Sequence, residues 1–250
     1  MRQLLIVSAG IQLQSDTEYS VLDSEQKKGP IPMKLFGSSF SPFVRKVMVY
    51  AAERGLDLTV EQIGLANKDP AFLRASPLGK MPGFTDGDFA ISDSTAIIAY
   101  LERKYPDGAM SPTSAEDYAR VIWFEEFADT VMSQVTFKCF FNRVVAPLFM
   151  KIPGNEELAV EGETVDLPKV LDYLESVAPA ADGFLVGDRL TVADISVATM
   201  FVNYEHAPVN IDKTKWPKTY AWVEAITARP SFAPIIAQEK GTLAHLRGGA

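Results

Sequence analysis

Apolar and polar residues follow two different periodicities in the part of the chain that begins at residue 33. Residues 33–37 (MKLFG) and 58–63 (LTVEQI) have a period of two, which predicts two short strands. Between them, residues 41–55 repeat apolar side chains at helical spacing and end at a glycine, which predicts a helix. A helical crossover allows the two strands to pair in parallel, so this segment is predicted to form a β-α-β unit.

Smaller elements follow this unit. Residues 69–76 (DPAFLRAS) predict a short helical turn, and residues 82–92 (PGFTDGDFAIS) predict a hairpin around the DGD turn. Residues 93–106 (DSTAIIAYLERKYP) place apolar side chains on one helical face and end at a proline, which predicts a second clear helix. The resulting order, β-α-β-α-β-β-α, indicates an α/β domain over residues 33–107.

The pattern changes after the second helix. Residues 108–113 form a linker rich in Gly, Pro and Ser, and residues 114–250 carry mainly helical patterns. A long helix is predicted first, with a bend near Pro147, and a later helix is predicted to be irregular at Pro168. The chain is therefore predicted to combine an α/β domain with an all-α domain.

Composition and charge narrow the class of protein. The chain is 47% hydrophobic and 22% charged, which is ordinary for a soluble globular protein. The net charge is −8 and no basic stripe occurs, so a nucleic-acid partner is not expected. No apolar run reaches the roughly 18 residues that span a membrane, so no membrane partner is expected. Residues 1–32 are interpreted as a disordered extension, or as the result of a start codon placed upstream of Met33.

The chain contains a single cysteine, Cys139. One cysteine cannot form an internal disulfide or a thiolate metal cluster, so no metal ion is predicted. A lone cysteine also fits a reducing compartment, and we predict a cytoplasmic protein.

Two short motifs carry candidate binding chemistry. In LGKMPGF, Pro82 opens a predicted strand, and a cis bond there would leave the Met81 backbone free to pair with an extended peptide. In ISDSTAII, Asp93 and Ser94 stand at a helix start. The Asp93 carboxylate could accept a ligand ammonium, while the Ser94 hydroxyl and the free helix amides could hold a carboxylate.

A third motif, GDRLTVADIS, has a structural interpretation. Thr191 and Asp194 have the spacing of a capping box, with Asp in place of the usual Glu. Leu190 and Ile195 occupy the hydrophobic-staple positions on either side. We predict that these residues start a buried helix and take no part in chemistry.

In this order and at these distances, SPFVRKV, GKMPGF, SDSTAIIAYL and LTVADIS resemble the cytosolic glutathione transferase family. The resemblance covers nearly the whole chain apart from the N-terminal extension. It implies a thioredoxin-like domain that binds glutathione as co-substrate, a helical domain that supplies an apolar pocket, and a homodimer. It also implies that Met81 and Pro82 pair with the cysteinyl backbone of glutathione, and that Asp93 and Ser94 hold its γ-glutamyl end. Lys80 lies where many classes place a side chain near the glycine carboxylate.

The segment SSFSPF leaves three serines open as the residue that meets the glutathione sulfur. The S-P-F resembles the tau-class S-P-F and the omega-class C-P-F, in which the residue before the proline is active; this selects Ser41. The pattern also resembles the zeta-class S-S-C-S, which selects Ser38 in one register and Ser41 in another. Ser41 is preferred, with Ser39 and Ser38 as alternates. A hydroxyl at a helix start can donate a charge-assisted hydrogen bond to a thiolate, so this serine would stabilise the thiolate without becoming a covalent nucleophile.

The second substrate is not specified by any motif. Phe36, Phe40, Phe43 and Trp123 are predicted to border an apolar pocket for it. The leading interpretation is a transferase that conjugates glutathione to an apolar electrophile. A glutathione-dependent isomerase, dehalogenase or reductase on the same fold is the second, and a non-catalytic glutathione-binding protein is the third. A disulfide-exchanging reductase would need a cysteine where Ser41 stands.

Overall fold

The structure, a computed structural model, describes residues 32–248. The prediction for residues 1–32 therefore falls, apart from Pro32, outside the described residues. Four strands are present: Met33–Gly37 (β1), Leu58–Gln62 (β2), Gly83–Asp86 (β3) and Phe89–Ser92 (β4). They form one sheet in the order β2-β1-β3-β4.

Three helices accompany the sheet: Pro42–Glu53 (α1), Pro70–Ala75 (α2) and Ser94–Lys104 (α3). The strands β1 and β2 are parallel and are connected through α1, with Met33 opposite Leu58. β3 is antiparallel to β1, and β4 is antiparallel to β3. This is the predicted β-α-β-α-β-β-α order, so the thioredoxin-like fold of this part of the chain is confirmed.

The rest of the described chain is helical. Its α-helices are Ala115–Glu126 (α4), Ser133–Thr136 (α5), Glu156–Glu161 (α6), Leu167–Val177 (α7), Val192–His206 (α8), Pro217–Thr227 (α9) and Ala233–Gly248 (α10). Wider π-helical turns join several of them, namely Phe127–Met132, Phe137–Met150 and Gly162–Asp166. Pro147 lies inside the second of these turns, and Pro168 lies in the first turn of α7 directly after the third. Both prolines therefore accompany a departure from regular α-helix.

Helix α8 forms the centre of the helical part. All of its side chains except Glu205 are buried, which is why it lacks a polar face. Asp194 accepts hydrogen bonds from the backbone N–H of Thr191 at 2.9 Å and of Leu185 at 2.8 Å, and the predicted capping box is present. Burial raises the pKa of the Asp194 carboxyl to about 6.

Helix α1 packs against α8, and several polar contacts connect the sheet region to the helical region. The buried Arg45 of α1 donates to the backbone oxygen of Thr199 in α8 at 2.9 Å. Glu53 at the end of α1 pairs with Arg229 at 2.8 Å. Glu102 of α3 accepts the backbone N–H of Met110, which fixes the connecting segment.

Between residues 32 and 248, no helix combines the length and apolar character needed to cross a membrane.

Candidate active site

A cavity of about 690 Å³ lies between the loop that follows β1 and the π-helical segment Phe137–Met150. Six phenylalanines line it: Phe40, Phe43, Phe137, Phe140, Phe141 and Phe149. Its polar side chains are neutral ones, from Ser38, Ser41, Ser133, Thr136 and Asn203. Among the described residues, no charged side chain lines this cavity. The walls therefore suit an uncharged, apolar molecule beside a few hydroxyl groups.

Ser41 stands at the first position before α1 and lines the cavity. Its backbone is extended, with φ −76° and ψ 122°, and Pro42 opens the helix. The backbone N–H of Ser41 donates to Ser38 O at 2.9 Å, and Ser41 O accepts from Arg45 N–H at 3.0 Å. The hydroxyl makes no capping bond and has no hydrogen-bond partner within residues 32–248. A free hydroxyl therefore lies beside a helix N-terminus, where an anion is stabilised.

The two alternate serines differ in position. Ser38 lines the same cavity as Ser41, whereas Ser39 does not. Neither hydroxyl has a partner among the described residues. The geometry therefore brings two of the three candidate serines to the cavity and leaves Ser39 aside.

The LGKMPGF segment reaches the cavity through one residue. The Met81–Pro82 bond is cis, and Met81 lines the cavity. Pro82 is buried and Lys80 is exposed, and neither lines it. Ser76 holds this turn, because its hydroxyl donates to Lys80 O at 2.6 Å and accepts from Lys80 N–H at 3.1 Å.

Asp93 and Ser94 lie at the start of α3, outside the lining of the cavity. The Asp93 side chain accepts the backbone N–H of Ala96 at 3.0 Å, so it caps the helix. Asp93 also has φ +80°, which a residue with a side chain rarely adopts. Such a conformation costs on the order of 1–3 kcal/mol and occurs preferentially at functional sites. Capping the helix does not by itself require this conformation.

A buried charged cluster lies next to this helix start, and the sequence did not indicate it. Lys46 of α1 donates to Glu125 at 3.0 Å and to Asp129 at 2.7 Å, and the Thr95 hydroxyl donates to Glu125 at 2.8 Å. Burial raises the pKa of Asp129, while Lys46 opposes that shift and Glu125 and Asp93 add to it. The cluster therefore ties the start of α3 to α1 and α4. The only sequence signal was the adjacent pair Arg45 and Lys46 in a helix that is otherwise apolar up to Glu53.

Two of the four predicted pocket residues lie elsewhere. Phe36 is 2% exposed and packs against Phe72 of α2, with ring centroids 6.3 Å apart. Successive residues of a strand point to opposite faces, so Phe36 turns away from the face that Leu35 shares with α1. Trp123 is 56% exposed, and its indole N–H donates to the Tyr173 hydroxyl at 2.9 Å. Neither lines the cavity, whereas Phe40 and Phe43 do.

Comparison with known proteins identifies the family. Residues 35–109 match the model of the glutathione S-transferase N-terminal domain, and residues 129–230 match that of the C-terminal domain. Glutathione S-transferase 3 of Zea mays is 32% identical over 212 residues, covering 82% of this chain and 94% of that protein. The chain belongs to the glutathione S-transferase family.

Other relatives agree with this assignment. Glutathione S-transferase F7 of Arabidopsis thaliana is 29% identical over 209 residues, covering 82% of this chain and 99% of that protein. A solved structure of glutathione S-transferase III in the apo form has a TM-score of 0.69 and 30% identity, covering 83% of this chain and 96% of that one. The resemblance noted from the sequence is thus confirmed for the family and the fold.

Within the described part of the chain, no group of three or more His, Cys, Asp or Glu side chains is arranged to hold a metal ion.

Proposed function

We propose that this protein binds glutathione and conjugates it to an apolar electrophile, with the Ser41 hydroxyl stabilising the glutathione thiolate. The observation that carries the proposal is that Ser41, at the start of α1, has a free hydroxyl and lines a cavity with apolar walls. In the proposed complex, Met81 pairs with the cysteinyl backbone, and Asp93 and Ser94 hold the γ-glutamyl end. The exposed Lys80 lies near the glycine carboxylate.

In this proposal Ser41 lowers the pKa of the thiol of bound glutathione. A free thiol has a pKa of about 8.5, so little of it is ionised at neutral pH. Lowering that pKa by about two units requires roughly 2.7 kcal/mol of thiolate stabilisation. A charge-assisted hydrogen bond from the hydroxyl, together with the positive end of α1, can supply it. The thiol proton leaves to solvent, and Ser41 keeps its own proton throughout.

The bond-forming step needs no further group from the protein. The thiolate sulfur attacks the electrophilic carbon, a C–S bond forms, and the leaving group departs with its bonding electron pair. The aromatic walls exclude water from this step and hold an uncharged second substrate against the sulfur.

Cys139 supports conjugation over disulfide exchange. This cysteine is fully buried, does not line the cavity, and has a pKa that burial raises to about 11. A reductase that exchanges disulfides needs an accessible thiolate, which a thiol in this environment does not supply. Glutathione itself is therefore the only sulfur nucleophile in the proposed reaction.

The proposal includes a homodimer in the cytoplasm. Helix α4 exposes Tyr118, Ile122 and Trp123, and the first two border a second cavity of about 690 Å³ between α3 and α4. Burying these apolar side chains against a second copy would remove them from water, which supports this face as the interface.

An activity panel tests the proposal. Purified protein is given glutathione with an aryl halide, a peroxide, a mixed disulfide or a halogenated alkane, and the products are quantified. We expect conjugation of the aryl halide, a large loss in Ser41→Ala, and little change in Ser39→Ala, because Ser39 does not face the cavity. A loss in Ser38→Ala with full activity in Ser41→Ala would move the role to Ser38. Stabilisation by glutathione without turnover of any substrate would instead support the non-catalytic alternative.

A further inference from the structure

We propose that Asn203 and Thr199 of α8 are positioning residues for Ser41, an inference that rests on the function proposed for Ser41. Each donates to the backbone carbonyl of one of the two residues that flank this serine. The Asn203 amide Nδ2 donates to Phe40 O at 3.0 Å, and the Thr199 hydroxyl donates to Pro42 O at 3.2 Å. These two hydrogen bonds attach residues 40–42, the segment that contains Ser41, to α8, the central helix of the helical part of the protein.

Arg45 determines which way both side chains point. Its Nη1 donates to Asn203 Oδ1 at 2.7 Å and to Thr199 Oγ1 at 3.2 Å. A guanidinium has only donors, so the amide oxygen of Asn203 must face Arg45 and the NH₂ must face Phe40 O. Nη1 also donates to the backbone oxygen of Thr199 at 2.9 Å, so its two protons are shared among three acceptors. Because Thr199 Oγ1 is one of these acceptors, its own proton is left for Pro42 O.

Arg45 is in turn held by the last helix of the described chain. Glu239 of α10 accepts from its Nε at 3.1 Å and from its Nη2 at 2.9 Å. His206 Nε2 lies 2.8 Å from the second Glu239 oxygen. Every side chain in this network is at most 3% exposed. With water excluded, each donor and acceptor depends on its protein partner, so the arrangement has little freedom to vary.

These hydrogen bonds determine the direction in which the Ser41 side chain leaves the backbone. Asn203 holds the peptide unit before Ser41, and Thr199 holds the unit between Pro42 and Phe43. The Ser41 carbonyl between them accepts from the Arg45 N–H at 3.0 Å, so the Cα–Cβ bond of Ser41 has a set direction relative to the start of α1. A hydrogen bond to a thiolate weakens steeply with misalignment, so small rotations of this backbone reduce thiolate stabilisation. If the contacts merely attached α1 to α8, their loss would lower stability and leave the ionisation of bound glutathione unchanged.

Two substitutions remove one contact each with little change in shape. Asn203→Asp keeps the oxygen that faces Arg45 and replaces the NH₂ group with an oxygen that cannot donate to Phe40 O. Thr199→Val removes the hydroxyl, and Thr199→Ser restores it. Val202→Ala is the matched control, because Val202 is a buried α8 residue that makes neither contact.

The experiment is a titration of thiolate absorbance in the glutathione complex of each variant, together with kcat, KM and the melting temperature. We expect Asn203→Asp and Thr199→Val each to raise the thiol pKa by about half a unit to one unit, less than Ser41→Ala does. Thr199→Ser and Val202→Ala should keep the wild-type pKa. The loss in kcat at pH 7 should be about 1.5- to threefold, and KM for glutathione should rise by no more than about threefold, the factor that proton linkage gives for a one-unit shift. If Asn203→Asp does not fold, the comparison of Thr199→Val with Thr199→Ser carries the test.

A wild-type pKa in both Asn203→Asp and Thr199→Val would overturn the inference and leave the role of Ser41 intact. A wild type that does not lower the thiol pKa, or a Ser41→Ala variant that does not raise it, would overturn the proposed role of Ser41 and the positioning role with it. The wild-type and Ser41→Ala titrations therefore distinguish the two failures.

Discussion

The Ser41→Ala substitution should change the pH dependence of catalysis in a defined way. A thiol of pKa about 8.5 is about 3% ionised at pH 7, whereas one of pKa about 6.5 is about three-quarters ionised. Removing the Ser41 hydroxyl should return the pKa of bound glutathione toward the first value. The ionised fraction at pH 7 then falls about 25-fold, while at pH 10 both forms are almost fully ionised.

An opposing effect makes the pH dependence more informative than the rate at one pH. A thiolate of lower pKa is less nucleophilic, so part of the gain from ionisation is offset at every pH. This offset is a constant factor, because it concerns the thiolate itself. The ratio of wild-type to Ser41→Ala rates should therefore fall about 25-fold between pH 7 and pH 10, whatever its absolute value.

The assay is steady-state conjugation of an aryl halide at saturating glutathione, measured from pH 6 to pH 10, with Ser39→Ala as the control. Ser39 precedes the same helix and does not line the cavity, so its variant should follow the wild-type profile. A ratio for Ser41→Ala that stays constant across this range would refute the reasoning, because the serine would then act on something other than thiol ionisation.

Three further predictions concern buried titratable groups. Burial raises the pKa of Asp194 above its unfolded value of 3.8 to about 6, so the folded protein binds more protons between these values. The stability that this group contributes is complete below the unfolded pKa and is lost as the pH rises through about 6. The free energy of unfolding of the wild type, measured with urea, should therefore rise by about 1 kcal/mol from pH 7 to pH 5, compared with that of Asp194→Asn. A raised pKa of Cys139 predicts that a thiol reagent labels native protein slowly at pH 8 and rapidly after unfolding, and fast native labelling would contradict this. Lys46→Met leaves Glu125 and Asp129 without their counter-charge, so the free energy of unfolding should fall by about 3–5 kcal/mol, and a loss below about 1 kcal/mol would contradict the cluster's role.

The fold could be predicted largely from local patterns. The alternation at β1, the helical period of α1 and the DGD turn between β3 and β4 are short-range signals, and the structure contains all three elements. The π-helical turns could not be predicted in the same way, because a wider turn changes the apolar spacing only slightly over one or two turns. Pro147 and Pro168 indicated where the regularity is lost, but not the form of the irregularity.

The candidate site could be predicted only in part. The order of motifs indicated Ser41 and Met81, because each directly precedes a proline within a recognisable motif. Which phenylalanines line the cavity depends on packing between distant segments, so sequence alone does not separate Phe36, which packs against Phe72, from Phe140, which lines the cavity. The burial of Arg45 was also not predictable, because its partners on α8 and α10 lie far along the chain and a charged residue on a helix usually faces solvent.

The central claim, that Ser41 stabilises the thiolate of bound glutathione, is tested most directly by proton release on binding. Calorimetric titration of glutathione at pH 7, in two buffers of different ionisation enthalpy, counts the protons released without any second substrate. A bound thiol of pKa about 6.5 predicts release of about 0.7 proton per site by the wild-type protein and close to none by a Ser41→Ala variant that still binds. Equal release by the two proteins, or none by the wild type, would contradict the account.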